Sequence, residues 1–431
     1  MPPFSDLEEW DVVDDPDHHP SSSDDLMFDQ WADLSDHRRS ALAPIFQLVL
    51  DGLKPQARKA RADLVKGIET IVSALVANLV VLRAKRPPGA RLVLEMDRRK
   101  RTRYDRKGLR KLPEVIGVLE GAGLIVRHPA VFKKLRTTIE PTEKLRPVVE
   151  PQSISLADVI RAEGEELVVL TARPDIRYVG GRRQPNVMID YEDTEETKRL
   201  RADMEEINRF LSSRSIILEG SPQPAFRLHR KFTLRGKGDP RTFNLHGRLY
   251  GGFWMTLKAI ERHRLRIDGE PIADLDFSSM FPRLAYQHVG KEPPQGDLYA
   301  IPGLEDHRDG AKAALSALLS YGDEMKSLPP RLKEQLPAGW TASRVKQTVA
   351  DVHPDLVPLF GRDFGLDLMF TESRILLATL RLLMAQGIPA LPMHDGIMVP
   401  RSKAEEGGAA MEEASAEVAG TSLPVTIKSA S

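Results

Sequence analysis

Apolar residues recur at helical spacing between Ser35 and Arg83: Leu42, Ile45, Phe46, Leu48 and Val49, then Leu64, Ile68, Ile71, Val72, Leu75 and Leu79. Positions three and four apart share a helix face, so the stretch predicts packed helices. Ser35 is the expected N-cap and Arg86-Pro87-Pro88-Gly89 the stop. The pattern then shortens. A strand is expected over 91–95 and a helix over about 109–122, ending at Gly121-Ala122-Gly123; hairpin strands follow over 124–127 and 137–142. Beyond these, a strand over 167–171 lies between helices expected over 155–164 and about 195–213. Thr194 caps the second helix, with Leu200, Met204, Ile207 and Leu211 on one face and Arg199, Arg201, Glu205 and Arg209 on the other. That helix reads equally as a thumb-like gripping element or as a spacer.

Two later stretches bring acids to the ends of apolar runs. Ala273-Asp274-Leu275-Asp276-Phe277 reads as a strand that turns at Ser278-Ser279 into an apolar, helix-like run through Arg283. Downstream, a helix over 371–384 is followed by two short apolar runs with Asp395 between them, at the tip of a hairpin. Two strand-borne aspartates brought together in space can hold two divalent cations about 4 Å apart and run phosphoryl transfer. Asp274 is assigned to the opposite face of its strand, where it either supports the ligand aspartate or has a structural role.

Composition narrows the classes. A chain of 431 residues calls for two or three domains, and 41% apolar content is enough to give them cores. The absence of cysteine removes disulfides, thiolate catalysis and Cys-type zinc sites. The longest apolar run, around 71–82, is interrupted by Ser73, Ala77 and Asn78, and the chain starts acidic. No membrane span or signal peptide is therefore expected, and the location expected is cytoplasmic. The zero net charge conceals an asymmetry. Residues 1–36 hold twelve Asp or Glu and no Lys or Arg, so bases exceed acids by twelve in the remainder. That balance suits a polyanion partner. Residues 1–36 are read as a disordered acidic tail that docks on the chain's own basic groove or on a protein partner, or simply keeps the chain in solution.

The run of helix, Gly-Leu-Ile, strand, basic turn and strand resembles the second half of a winged-helix domain. Nine of the fifteen residues 97–111 are Lys or Arg, among them Arg98, Arg99, Lys100 and Arg101. In a winged helix such a flank contacts DNA phosphates while the helix enters the major groove.

From Phe243 onward the chain resembles the palm and fingers of the family A polymerase superfamily, the DNA polymerase I-like enzymes and phage-type single-subunit RNA polymerases. Four short motifs in order carry the resemblance. His246-Gly247-Arg248-Leu249-Tyr250 is similar to the Gly-Arg signature whose arginine touches the template–primer duplex. Asp276-Phe277-Ser278 resembles motif A, with Arg283 where the DNA polymerases also keep an arginine at the duplex. The resemblance makes Asp276 a metal ligand, with the Phe277 carbonyl as an additional one. Arg308, Lys312 and Tyr321 resemble the fingers helix that holds the incoming triphosphate, although one residue too many separates Lys312 from Tyr321. Met393-His394-Asp395-Gly396 resembles motif C, with Asp395 as the second metal ligand and His394 at the primer terminus. Gly396 stands where DNA polymerases place Glu. Phe281 reads as a bulky residue under the sugar that excludes a 2′-hydroxyl, or equally as a core residue of its helix.

The expected fold is α+β and multidomain. Composition and periodicity set an acidic tail (1–36) and a helical region (37–89), and the resemblances add a winged-helix-like domain (90–148), a connector or thumb-like region (149–235) and a palm with compressed fingers (236–431). It implies a nucleotidyltransferase using two Mg²⁺ ions, or Mn²⁺, on a DNA template–primer with nucleoside triphosphates, DNA product favoured over RNA. The short chain suits replication, priming or repair of a mobile element. Open alternatives are a non-catalytic winged-helix initiator with a vestigial palm, a metal-dependent nuclease, and an RNA-synthesising enzyme or primase.

Overall fold

The computed structural model describes residues 24–53, 62–96, 102–131, 136–150, 153–176, 178–179, 182–322 and 325–428. The basic run Arg98, Arg99, Lys100 and Arg101, and the first part of the acidic segment, lie outside these. The fold is α+β with several sheets.

The N-terminal body runs through β1 (Leu26–Met27), β2 (Ala32–Leu34), α1 (Asp36–Ser40), α2 (Ala43–Leu53), α3 (Ala62–Lys85), β3 (Leu92–Leu94), α4 (Leu112–Gly121), β4 (Ile125–His128), β5 (Thr137–Pro141), α5 (Arg146–Val149) and β6 (Val159–Arg161). A sheet ordered β1-β3-β5-β4 and a β2–β6 pair surround α3. Among the described residues α3 is the one helix long and apolar enough to cross a membrane, and 61% of its most apolar window is buried inside the protein. A helix apolar on all sides belongs in a core or a bilayer, and here it forms the centre of a core.

Residues 24–36 are not a free tail. β1 pairs with β3 and β2 with β6, and Ala32 and Leu34 join the core around α3. Their acids are tied down individually. Asn78 donates to the Asp29 main-chain carbonyl at 2.8 Å and accepts from the Asp29 amide at 2.8 Å, the Asp29 carboxylate pairs with Arg161, and Ser73 and Arg106 both hydrogen-bond the Asp33 carboxylate. Buried polar groups on α3 therefore find partners on the acidic segment, and those acids gain ion pairs in place of water. The helix expected over 155–164 is a second correction. Only a 3₁₀ turn, Leu156–Asp158, forms behind a Ser155 capping box; Val159 and Ile160 then enter β6, because β2 supplies a strand partner.

The second body continues with β7 (Val168–Ala172), β8 (Tyr178–Val179), β9 (Arg182–Arg183), β10 (Val187–Met188), α6 (Glu195–Ser212), β11 (Ile216–Leu218), β12 (His229–Leu234) and β13 (His246–Tyr250). Then come α7 (Ala259–Arg262), β14 (Leu265–Ile267), β15 (Glu270–Phe277), α8 (Met280–His288), α9 (Arg308–Ser320), α10 (Pro330–Gln335), α11 (Ala342–Val352) and α12 (Gly365–Ala385). The chain closes through β16 (Leu391–Met393), β17 (Gly396–Pro400), α13 (Ala404–Ala419) and β18 (Val425–Lys428). Two larger sheets form, β10-β7-β12-β13 and β11-β14-β15-β17-β16, with β18 pairing β15 as well, and β8 pairs with β9.

The boundary expected at 235/236 falls inside this unit. β12 and β13 are paired on either side of it, and Met204, Ile207 and Leu211 of α6 share one core with Leu275, Leu380 and Ile397. α6 is thus a packing helix, tied to α12 by Arg381–Asp203 at 2.6 Å. Tyr104 joins the two bodies: its hydroxyl accepts from Leu170 N at 2.9 Å and donates to the Ile189 carbonyl at 2.8 Å.

Candidate active site

β15 is the central strand of the site. Its residues alternate, Ala273, Leu275 and Phe277 buried and Asp274 and Asp276 half-buried on the other face. The apolar face packs on α13, where Gly407 and Gly408 let the helix come close to Leu275 and Val399. The acidic face is thereby left open. Period-two alternation puts Asp274 on the same face as Asp276, which corrects its assignment to the opposite side.

β16 and β17 form a two-residue hairpin with His394 and Asp395 as its loop. His394 has a positive φ of 44°, and Ser279, where β15 turns into α8, has one of 52°. Left-handed backbone in a non-glycine residue is strained, and here it marks both turns beside the acids. β17 pairs antiparallel with β15, Gly396 opposite Asp276, and the Phe277 amide donates to the Asp395 carbonyl at 3.1 Å. Asp276 on β15 and Asp395 in the loop leading into its partner β17, 119 residues apart in the sequence, are thereby neighbours.

Gly396 makes that pairing possible. A Cβ there would overlap the Leu275 carbonyl oxygen and come within 2.8 Å of Asp276 Oδ1. No acid can occupy this position without forcing β15 and β17 apart. Gly396→Ala is expected to cost about 1–3 kcal/mol, the usual range for overpacking. Urea titration of the variant reads the cost, and an unchanged midpoint would show that the strands part freely.

The electrostatics are those of crowded acids. Burial, then Asp395, raises the Asp276 carboxyl well above the usual range. Burial raises Asp274 too, against the pull of Lys428 and Arg262. Lys428 Nζ lies 2.8 Å from Asp276 Oδ2 and Arg262 Nη1 3.6 Å from Asp274 Oδ2. Burial alone would lower the Lys428 ammonium, but Asp276, Asp274 and Asp395 together raise it.

The remaining expected residues divide into two groups. Arg308 and Lys312 sit one turn apart at the start of α9. Arg308 reaches Asp297 through two bonds, 2.8 and 3.0 Å, and its guanidinium lies 5.2 Å from the Tyr299 ring centre. Tyr299 links this helix to the acids: burial and Asp395 raise its hydroxyl, which also hydrogen-bonds Ser279. Arg283 Nε donates to the Ser278 carbonyl at 3.0 Å, beside the turn after β15. Tyr321 ends α9 and packs half-buried against the main core. His394 is buried, its ring 6.0 Å from that of Tyr250.

Two residues are not where a nucleic acid or a nucleotide would touch them. Arg248 is 2% exposed, and its Nε and Nη2 reach the Glu372 carboxylate at 2.8 and 3.0 Å. Gly247, at φ 75° and with a Cβ position only 2.6 Å from Ser373 Oγ, brings β13 this close to α12. Phe281 is buried in the main core, with the Arg248 guanidinium 5.7 Å from its ring centre. Of its two readings, the core one matches this placement. The Phe277 side chain is buried at the end of β15.

Sequence reasoning missed Lys428, Tyr299 and Glu372 as members of this neighbourhood, and put Asp274 on the wrong face of its strand. For Asp274 the signal was its two-residue spacing from Asp276. Comparison with protein-family models and with curated proteins returns no match.

Proposed function

We propose that the chain is a template-dependent nucleotidyltransferase that extends a primer 3′-hydroxyl with nucleoside triphosphates. The observation that carries this reading is that Asp395, in the loop leading into β17, lies beside Asp276 on the paired strand β15, although 119 residues separate them in sequence. The donor set suits Mg²⁺: hard carboxylate oxygens with a main-chain carbonyl nearby, in a cluster whose raised carboxyl groups call for positive charge. Asp276 and Asp395 would hold two such ions, with the Phe277 carbonyl as a further donor. Bound Mg²⁺ supplies activation of the 3′-hydroxyl and neutralisation of the pyrophosphate charge. Arg308 and Lys312 bind the triphosphate from α9, with the Arg308 guanidinium resting on the Tyr299 ring. The winged-helix-like segment and its basic flank recruit DNA through phosphate contacts. Because Phe281 lies in the core, the sugar preference rests on no single residue, and both nucleotide classes are candidate substrates.

The test is extension of a labelled primer–template with dNTPs and, separately, NTPs, in Mg²⁺ and in EDTA. Extension in Mg²⁺ that disappears in EDTA is the expected result. Tight duplex binding without extension under any condition would favour a second reading, a DNA-binding initiator with an inactive palm. The Lys428–Asp276 ion pair gives that alternative its support, since it neutralises an acid without metal.

A further inference from the structure

β18 pairs with β15 on the edge opposite β17, with Lys428 in register with Asp274. Side chains opposite one another in a paired strand share a face, so Lys428 belongs to the acidic side and reaches diagonally to Asp276. Its side chain is 35% exposed, so the ammonium can leave by rotation of its stem while β18 stays in place. Asp274, Asp276 and Asp395 thus already face an ammonium, and Arg262 adds a guanidinium beside Asp274. A divalent ion on Asp276 would compete for the same oxygens and repel the ammonium at close range.

We propose that Lys428 is a built-in counter-cation of this site: its ammonium holds Asp276 until a divalent metal displaces it, so that metal loading and the Lys428–Asp276 pair exclude one another. The inference rests on the reading of Asp276 and Asp395 as metal ligands. It gives the last described strand a role in setting metal affinity and in keeping the acids compatible with folding before metal arrives.

The test is Mn²⁺ binding to the full chain, followed by the electron paramagnetic resonance of free Mn²⁺, for wild type, Lys428→Met, Lys428→Gln, Lys428→Arg and Asp276→Asn. Circular dichroism melts confirm that each variant is folded. Both neutral variants are expected to bind Mn²⁺ about tenfold more tightly or better, the scale of one charge-assisted pair. Lys428→Arg should bind like wild type, and Asp276→Asn should lose binding. Wild-type binding that Asp276→Asn abolishes, with the neutral variants no tighter than wild type, would overturn the counter-cation role and leave the metal site standing. No Mn²⁺ on any folded variant would overturn the metal site and the inference together.

Discussion

Asp395→Asn and Asp276→Asn are each expected to reduce metal-dependent primer extension by about three orders of magnitude, since metal-borne charge stabilisation contributes several kcal/mol and each 1.4 kcal/mol is about tenfold. The fold should survive both changes. A carboxyl whose folded-state pKa lies above its unfolded value holds its proton more tightly in the fold. Stability contributed by that proton is present at low pH and is lost as pH rises through the interval between the two values. Asp276 is such a group, raised by burial and by Asp395. Asparagine keeps the shape and removes the charge, so metal-free Asp276→Asn should melt no lower than wild type at neutral pH despite losing the Lys428 bond. Single-turnover extension at saturating Mg²⁺, with parallel melts in EDTA, reads both quantities. Activity within tenfold of wild type in either variant would remove the two-aspartate mechanism.

The pairing of these aspartates was legible because each lies where a local rule is strong. Alternation identified β15, and two apolar runs around His394-Asp395 identified the hairpin. The rule was misapplied to Asp274, whose two-residue spacing puts it beside Asp276. Other expectations failed where a distant partner decided the outcome. Asp29 and Asp33 looked like solvated charge because Arg161, Ser73 and Arg106, the partners of their carboxylates, lie 40 or more residues away in sequence. Val159 and Ile160 are β-branched residues whose conformation β2 selects. The same applies to Arg248, for which a Gly-Arg pair in a strand carries no sign of burial. Glu372, 124 residues on, takes the guanidinium inward.

Glu372→Ala is accordingly expected to destabilise the protein by about 3–5 kcal/mol, because it leaves a buried guanidinium without its counter-charge. Arg248 is 2% exposed and Glu372 1%, and the two bonds between them run from β13 to α12. Burial raises the Glu372 carboxyl, Arg248 opposes that, and Asp395 adds to it, so the pair also lies within electrostatic reach of the hairpin tip. Loss of the pair should therefore loosen the helix that feeds β16 and β17, and extension should fall even at temperatures where the variant remains folded. Replacing both partners, Arg248→Met with Glu372→Leu, should cost less than either single change, since no buried charge is then left alone. Urea titrations of the two single variants and the double variant measure this coupling directly. If Glu372→Ala costs under about 1 kcal/mol, less than a lone buried charge should, the guanidinium has an easy path to solvent. Arg248 would then regain the duplex contact that its motif implies.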